Sequence, residues 1–310
     1  MSLYLALALF VAGVLAVMKG GDWFVDAAGD IARRLGVPTF VIGASIVSLA
    51  TTLPEMLVSV IAAMGGKTDM AVGNAVGSVT ANTGLILALP MIFMAVQTTR
   101  RHARQCVILL LAAGILWMGV DTGAFEPWAG VFLGILFAAF MVSNLLAALE
   151  NRAAAENTAP AEGMGRSVGF FLLGAFGIVL GSECLVNGGS AIAEALGVPE
   201  RVIAVTMVAI GTSLPELVTA ITAIRKQEAA LSVGNIIGAN ILDLTLILPV
   251  CSLASGRALP VSPAGVRYDL PACFFIILAA VLPLAIRRKG SKIQGVVLML
   301  LYGAYLAFSL

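Results

Sequence analysis

One unusual octapeptide occurs twice in the chain: residues 48–55 read SLATTLPE and residues 209–216 read AIGTSLPE. A second pair of strings follows each copy, VGNAVGS at 72–78 and VGNIIGA at 233–239. The offset is 161 residues in both cases and stays constant, without a gap, over 52 residues. An internal duplication of this length predicts two structural repeats.

Each octapeptide places a proline beside a glutamate within a long apolar run: Pro54 with Glu55, and Pro215 with Glu216. Proline removes a backbone N–H and clashes with the carbonyl group one turn earlier. A carboxylate near the centre of a membrane helix costs roughly 2.5–3.5 kcal/mol. The sequence therefore predicts two membrane helices that are broken at the midplane and carry an acid there.

The composition is that of a polytopic membrane protein, since 60% of the residues are hydrophobic and only 11% are charged. A span needs about 20 apolar residues, and ten such spans can be drawn. The first is expected to be mature structure and not a signal peptide, because it lacks a basic leading segment. The spans are 3–19, 38–63, 70–97, 105–120, 127–149, 168–185, 200–224, 229–254, 270–286 and 293–310.

The predicted fold is an all-α membrane protein with ten transmembrane helices in two repeats of five. Five crossings per repeat force the second copy to enter the membrane upside down, so the repeats are inverted. We expect the first repeat over 1–149, a cytoplasmic linker over 150–166 and the second repeat over 167–310. With the N-terminus outside, the inner loops hold fourteen Lys and Arg residues and the outer loops four, which predicts a multi-pass cytoplasmic-membrane protein with both termini extracytoplasmic.

Three acidic residues lie deep within predicted spans: Glu55, Glu216 and Asp243. No Lys or Arg lies at comparable depth, so a bound cation is the simplest partner for them. Freed carbonyls and nearby hydroxyls are hard oxygen ligands, which suit Ca²⁺ or Na⁺. Asn82 follows Glu55 by 27 residues, as Asp243 follows Glu216. The single histidine, His102, falls in a basic loop and not in a predicted span. This position argues against a zinc site within the membrane.

These strings resemble the paired alpha repeats of the cation/calcium exchanger superfamily, and specifically its prokaryotic sodium/calcium exchanger-like branch. The typical G-T-S-L-P-E and G-N-x-x-G-S-N motifs stand here as ATTLPE with GNAVGSV, and as GTSLPE with GNIIGAN. The resemblance implies ten helices and four central ligands, beside two threonines, with further sodium ligands around them. The central ligands are Glu55, Asn82, Glu216 and Asp243, the threonines are Thr51 and Thr212, and the sodium ligands are Ser48, Thr52, Ser78, Ala209 and Ser213.

Three positions depart from the family motifs. Ala50 replaces a glycine, Val79 replaces the first-copy asparagine, and Ala239 replaces the second-copy serine. The last change removes a hydroxyl that the resemblance assigns to a sodium ion.

The function expected from these features is an antiporter that exchanges Ca²⁺ for Na⁺ by alternating access. A Ca²⁺/H⁺ antiporter, or exchange that involves K⁺, remains the alternative. A passive channel is disfavoured by the internal inverted repeat, and an intramembrane enzyme by the lack of a nucleophile and base pair. We expect no cofactor, no nucleic acid and no obligatory protein partner. The expected partners are Ca²⁺, monovalent cations and the lipid bilayer. The glycine-rich ends of spans one and six, at Gly20, Gly21, Gly188 and Gly189, are expected to let these spans slide as a gate.

Overall fold

The computed structural model describes residues 2–154, 163–197, 213–256 and 259–309. The described chain is mostly α-helical, with one short two-stranded sheet formed by β1 (Ala124–Phe125) and β2 (Leu259–Pro260). The helices are α1 (Leu3–Leu35), α2 (Thr39–Met64), α3 (Thr68–Ala81, continued by Asn82–Ile86 and Ala88–Phe93), α4 (Arg100–Met118), α5 (Pro127–Ala154), α6 (Met164–Ala195), α7 (Leu214–Arg225), α8 (Ala229–Ser255), α9 (Gly265–Arg287) and α10 (Lys292–Ser309).

Seven of the described helices are long and apolar enough to cross a membrane: α1, α2, α3, α5, α6, α8 and α9. Helices α4 and α10 contain shorter apolar stretches, and the described part of α7 has 12 residues. The structure therefore supports a multi-pass membrane protein. The count of ten crossings and the inverted relation of the halves remain predictions.

Helices α1 and α6 pack against each other through glycines. A Cβ atom added at Gly20 would lie 2.9 Å from the Gly174 carbonyl oxygen, and one at Gly188 would lie 2.8 Å from the Ala6 carbonyl oxygen. Such close approach of two backbones is the usual role of small residues between membrane helices. The prediction that Gly20, Gly21, Gly188 and Gly189 form the ends of these spans is thus wrong, because these residues lie inside continuous helices.

The same contacts explain why α1 is longer than predicted. The predicted span ended at residue 19, before Gly20, Gly21 and Asp22, whereas the helix runs to Leu35. The charges in its second half have partners: Lys226 lies 2.6 Å from Asp26 and 3.7 Å from Asp22. Helix α6 is longer than predicted for the same reason, since it packs along α1.

Helix α2 runs through Pro54 without interruption, so the predicted break at this proline is wrong. The missing Pro54 N–H removes one hydrogen bond, and the turns on both sides keep the helix together. The irregular turn lies earlier, where Gly43–Val47 is π-helical. In the second copy, Pro215 stands in the first turn of α7, where a proline is well tolerated.

The first half of α2 packs closely on α8. A Cβ atom at Gly234 would clash with the Phe40 carbonyl oxygen, and one at Gly238 would lie 2.7 Å from Ser48 Oγ. The repeated glycines of the second copy therefore bring the two halves into direct backbone contact. No described atom lies within 4 Å of a Cβ atom at Gly73 or Gly77, the equivalent positions in the first copy.

Candidate ion-binding site

The three deep acids are fully buried, as the sequence predicted from their position in apolar runs. Glu55 on α2, Glu216 on α7 and Asp243 on α8 each have 0% exposed surface. Each acid lies within electrostatic range of the other two. None of the salt bridges among the described residues includes them, so their charges are not balanced by a described Lys or Arg.

Glu55 receives hydrogen bonds from both halves of the chain. Ser213 Oγ, which immediately precedes α7, donates to Glu55 Oε1 over 3.3 Å. Ser78 on α3 is a second hydroxyl partner of the same carboxyl group. The other oxygen, Oε2, has no partner among the described residues, and is therefore available to a cation.

Glu216 is less well satisfied than Glu55. Thr51 and Thr52 on α2 lie close enough to interact with its carboxyl group, but neither carboxylate oxygen has a hydrogen bond of normal geometry. Thr51 instead donates toward the Ser48 carbonyl oxygen and toward Asn235 Oδ1, each over 3.2 Å. The Thr52 hydroxyl has no partner among the described residues.

Asn82 and Asp243 occupy equivalent and unusual backbone positions. Each opens a π-helical turn, Asn82–Ile86 in α3 and Asp243–Ile247 in α8. Both side chains are fully buried, and none of their polar side-chain atoms has a hydrogen-bond partner in the described part of the chain. Single π turns within α-helices are frequent at functional sites. The sequence predicted the pairing of these residues but gave no sign of the π turns.

The chemistry of the site is that of oxygen ligands alone: carboxylates, hydroxyls, amide oxygens and backbone carbonyls. Within the described ranges, no three His, Cys, Asp or Glu side chains converge tightly enough to form a ready metal cluster. The acids are instead accompanied by hydroxyl groups, those of Ser78 and Ser213 at Glu55 and those of Thr51 and Thr52 at Glu216.

Two predicted ligands, Ala209 and Thr212, lie outside the described residues. Ser48, the remaining predicted sodium ligand, is fully buried on α2, and its hydroxyl donates to the Ser45 carbonyl oxygen over 3.1 Å. Ser48 also touches the α8 glycine at 238. Its role as a sodium ligand stays a prediction.

Comparison with known proteins gives the family. The sequence model described as "Sodium/calcium exchanger protein" matches residues 5–146 and 166–310, nearly the whole chain. The chain belongs to the sodium/calcium exchanger protein family. The resemblance stated from the alpha-repeat motifs is thereby confirmed.

Relatives of this chain include membrane proteins from two species of archaea. The uncharacterized membrane protein MJ0091 of Methanocaldococcus jannaschii is 34% identical over 255 residues, which cover 81% of this chain and 82% of that protein. The sodium/calcium exchanger MaX1 of Methanosarcina acetivorans is 29% identical over 341 residues, which cover 96% of each. A solved structure of the sodium-calcium exchanger NCX_Mj, soaked with 2.5 mM Na⁺ and 10 mM Sr²⁺, matches with a TM-score of 0.87 and 30% identity over 99% of both chains.

These findings support cation/Ca²⁺ exchange by a membrane transporter of this family, and they point away from a catalytic enzyme.

Sequence reasoning missed the amide side chains that connect the acids to their surroundings. Asn74 Nδ2 donates to the Glu55 carbonyl oxygen over 3.5 Å and to Ser59 Oγ over 3.0 Å. Asn240 Nδ2 donates to Thr83 Oγ1 over 2.8 Å and so joins α8 to α3. The available signal was that the repeated string has an asparagine at the same position in both copies, Asn74 and Asn235. The pairing of Asn240 with Thr83 depends on how the halves dock, which no local pattern reveals.

Proposed function

We propose that this chain exchanges Ca²⁺ for Na⁺ across the cytoplasmic membrane by alternating access. The ions bind between Glu55 and Glu216, with Asp243 and Asn82 beside them. The hydroxyls and carbonyls predicted as further ligands complete the set, and they belong to Thr51, Thr212, Ser48, Thr52, Ser78, Ala209 and Ser213. The observation that carries this proposal is the burial of three carboxylates whose oxygens are largely without partners in the described structure.

The coupling follows from shared charge. A buried anion without a partner is strongly unfavourable, so the three acids favour occupation by cations. Ca²⁺ with a proton, or several Na⁺, can balance the same charges, but both loads together exceed them. Competition for one set of acids therefore couples the two ion fluxes.

We further propose the topology predicted from the basic residues, with ten crossings in two inverted repeats over 1–149 and 167–310. Contacts between loops support it, because they join segments that this topology places on the same side. Strand β1 pairs with β2, both predicted outside. Gln97, the last residue at the inner end of a predicted span, bridges to Lys289, which is predicted inside. The two family-model matches also fall on either side of the predicted linker, over 5–146 and 166–310.

The moving part in this proposal is the pair formed by α1 and α6. These helices contact each other along much of their length through Gly13, Gly20, Gly174, Gly181 and Gly188. A pair packed in this way can move as one unit against the remaining helices, which carry the acids.

Coupling to H⁺ is the second candidate, and Ala239 favours it. This residue is fully buried on α8 and has no hydroxyl where the first copy has Ser78. Buried acids can carry protons themselves, so a proton needs fewer ligands than a sodium ion. Involvement of K⁺ is a variant of the same exchange.

The test is ⁴⁵Ca²⁺ flux into proteoliposomes that contain the purified protein, with Na⁺, K⁺ or pH gradients imposed one at a time. We expect a Na⁺ gradient to drive Ca²⁺ uptake and the K⁺ gradient to have no effect. Uptake driven only by the pH gradient would replace Na⁺ with H⁺ in the proposal. The absence of gradient-driven uptake under all three conditions would refute it.

A further inference from the structure

At one pair of adjacent positions the two copies of the repeat exchange a polar and an apolar residue. The first copy has Ser78 followed by Val79, and the second has Ala239 followed by Asn240. Each copy therefore has one polar and one apolar residue, but in opposite order. All four are almost fully buried, with at most 3% exposed surface, so each polar group needs a partner.

Asn240 has only part of the hydrogen bonding that a buried amide requires. Its Nδ2 donates to Thr83 Oγ1 over 2.8 Å, whereas its Oδ1 has no partner among the described residues. An unsatisfied buried acceptor of this kind costs about 1–3 kcal/mol. The bond to Thr83 fixes the orientation of the amide, and its oxygen is left over.

Asn240 lies one helical turn from one unsatisfied residue, Asp243, and is bonded to the chain neighbour of another, Asn82. Asn240 precedes Asp243 by three residues on α8, so both lie on the same helix face. Thr83 directly follows Asn82 on α3. The bond between Asn240 and Thr83 therefore joins the helical turn that precedes Asp243 to the π turn that begins at Asn82. The side-chain oxygens of Asp243 and Asn82 also lack partners in the described structure.

From this juxtaposition we infer that Asn240 is a sodium ligand, whose Oδ1 completes a sodium position with Asp243 and Asn82. The inference rests on the proposed function and names one of its binding residues. It explains how the second copy can hold sodium without a hydroxyl at Ala239. Because the equivalent first-copy residue is Val79, this ligand has no counterpart there, and the two halves of the site are chemically unequal. A single amide oxygen adds little for Ca²⁺ between Glu55 and Glu216, so its loss should affect Na⁺ selectively.

Two near-isosteric variants test whether Asn240 binds sodium or only supports the structure through its bond to Thr83. Asn240→Leu removes the amide oxygen, whereas Thr83→Val removes only its hydrogen-bond partner. The readouts are the Na⁺ and Ca²⁺ concentrations that give half of the maximal thermal stabilisation of the purified protein, since an ion that binds the folded state raises its melting temperature. This measurement does not depend on transport.

We expect Asn240→Leu to raise the half-maximal Na⁺ concentration about tenfold and to change that for Ca²⁺ less than twofold. Thr83→Val should change both less than threefold. Equal shifts in the two variants would overturn the inference, because they would show that Asn240 acts only through Thr83. An unchanged Na⁺ dependence in Asn240→Leu, or no stabilisation of the wild type by Na⁺, would also overturn it.

If Asn240→Leu does not accumulate, Asn240→Asp provides the test. A carboxylate at this position keeps an oxygen and adds charge, so the half-maximal Na⁺ concentration should fall, and an unchanged value would contradict the inference. The wild-type flux experiment separates this result from the proposed function. If Na⁺ drives flux in the wild type and the Na⁺ dependence of Asn240→Leu is unaltered, only the ligand assignment is refuted. If no gradient drives flux, the proposed function is refuted.

Discussion

Replacement of Glu216 by glutamine removes one negative charge from the centre of the protein with almost no change in shape. Both Glu216 carboxylate oxygens lack a hydrogen bond of normal geometry, and the residue is fully buried. If Ca²⁺ is the partner of this carboxylate, the variant resembles a buried ion pair that has lost one member, which typically costs about 3–5 kcal/mol. At about 1.4 kcal/mol per factor of ten, Ca²⁺ affinity should fall roughly a hundredfold to a few thousandfold.

The stability of the protein without ions should change in the opposite direction. Glu216 lies within electrostatic range of Asp243 and Glu55, so its neutralisation removes both a desolvation cost and a repulsion. We therefore expect Glu216→Gln to unfold at an equal or higher temperature than the wild type in ion-free buffer. If Glu216 had only a structural role, the Glu216→Gln variant would retain Ca²⁺ flux or would unfold at a lower temperature.

The assay is ⁴⁵Ca²⁺ uptake by proteoliposomes, with melting temperature measured on the same preparation. Glu55→Gln should behave in the same way, because Glu55 is the equivalent acid of the first copy. Glu183→Gln is the matched control: Glu183 is exposed on α6, so the same chemical change there should leave uptake unaltered. Wild-type uptake by either Glu55→Gln or Glu216→Gln would refute the assignment of these acids as ion ligands.

Three further predictions concern other parts of the molecule. A cysteine at exposed Thr122 should react with an impermeant thiol reagent from outside the cell, and one at exposed Ser291 only after permeabilisation; the reverse pattern would overturn the proposed orientation. Ala239→Ser should lower the Na⁺ concentration for half-maximal Ca²⁺ flux by adding an oxygen ligand, and an unaltered Na⁺ dependence would argue for H⁺ coupling. Gly20→Ala should lower the melting temperature, because its Cβ would lie 2.9 Å from the Gly174 carbonyl oxygen and overpacking costs about 1–3 kcal/mol; Gly134→Ala, with no described atom within 4 Å, should not.

The parts of the site that the sequence predicted all depend on the duplication. Glu55 and Glu216 were recognisable because a buried acid is costly and occurs at equivalent positions in both copies. The same offset paired Asn82 with Asp243. The structure shows that all four side chains are buried, while their role as ion ligands remains a proposal.

The features that the sequence could not predict arise from contacts between distant segments. Helix α1 continues beyond Gly20 because glycines of α6 fit against it and because Lys226 lies beside its acids. Pro54 does not break α2, because one lost hydrogen bond is tolerated within an otherwise intact helix. The bond between Asn240 and Thr83 exists only once the two halves are docked.

The central claim is that Ca²⁺ and the coupling ion compete for one set of buried acids. It is tested most directly by equilibrium binding of ⁴⁵Ca²⁺ to the purified protein at increasing Na⁺ concentrations. We predict that the apparent dissociation constant for Ca²⁺ rises with Na⁺ while the number of Ca²⁺ sites stays constant. A fall in the number of sites at constant affinity, or no effect of Na⁺ at all, would contradict the claim that the two ions share these acids.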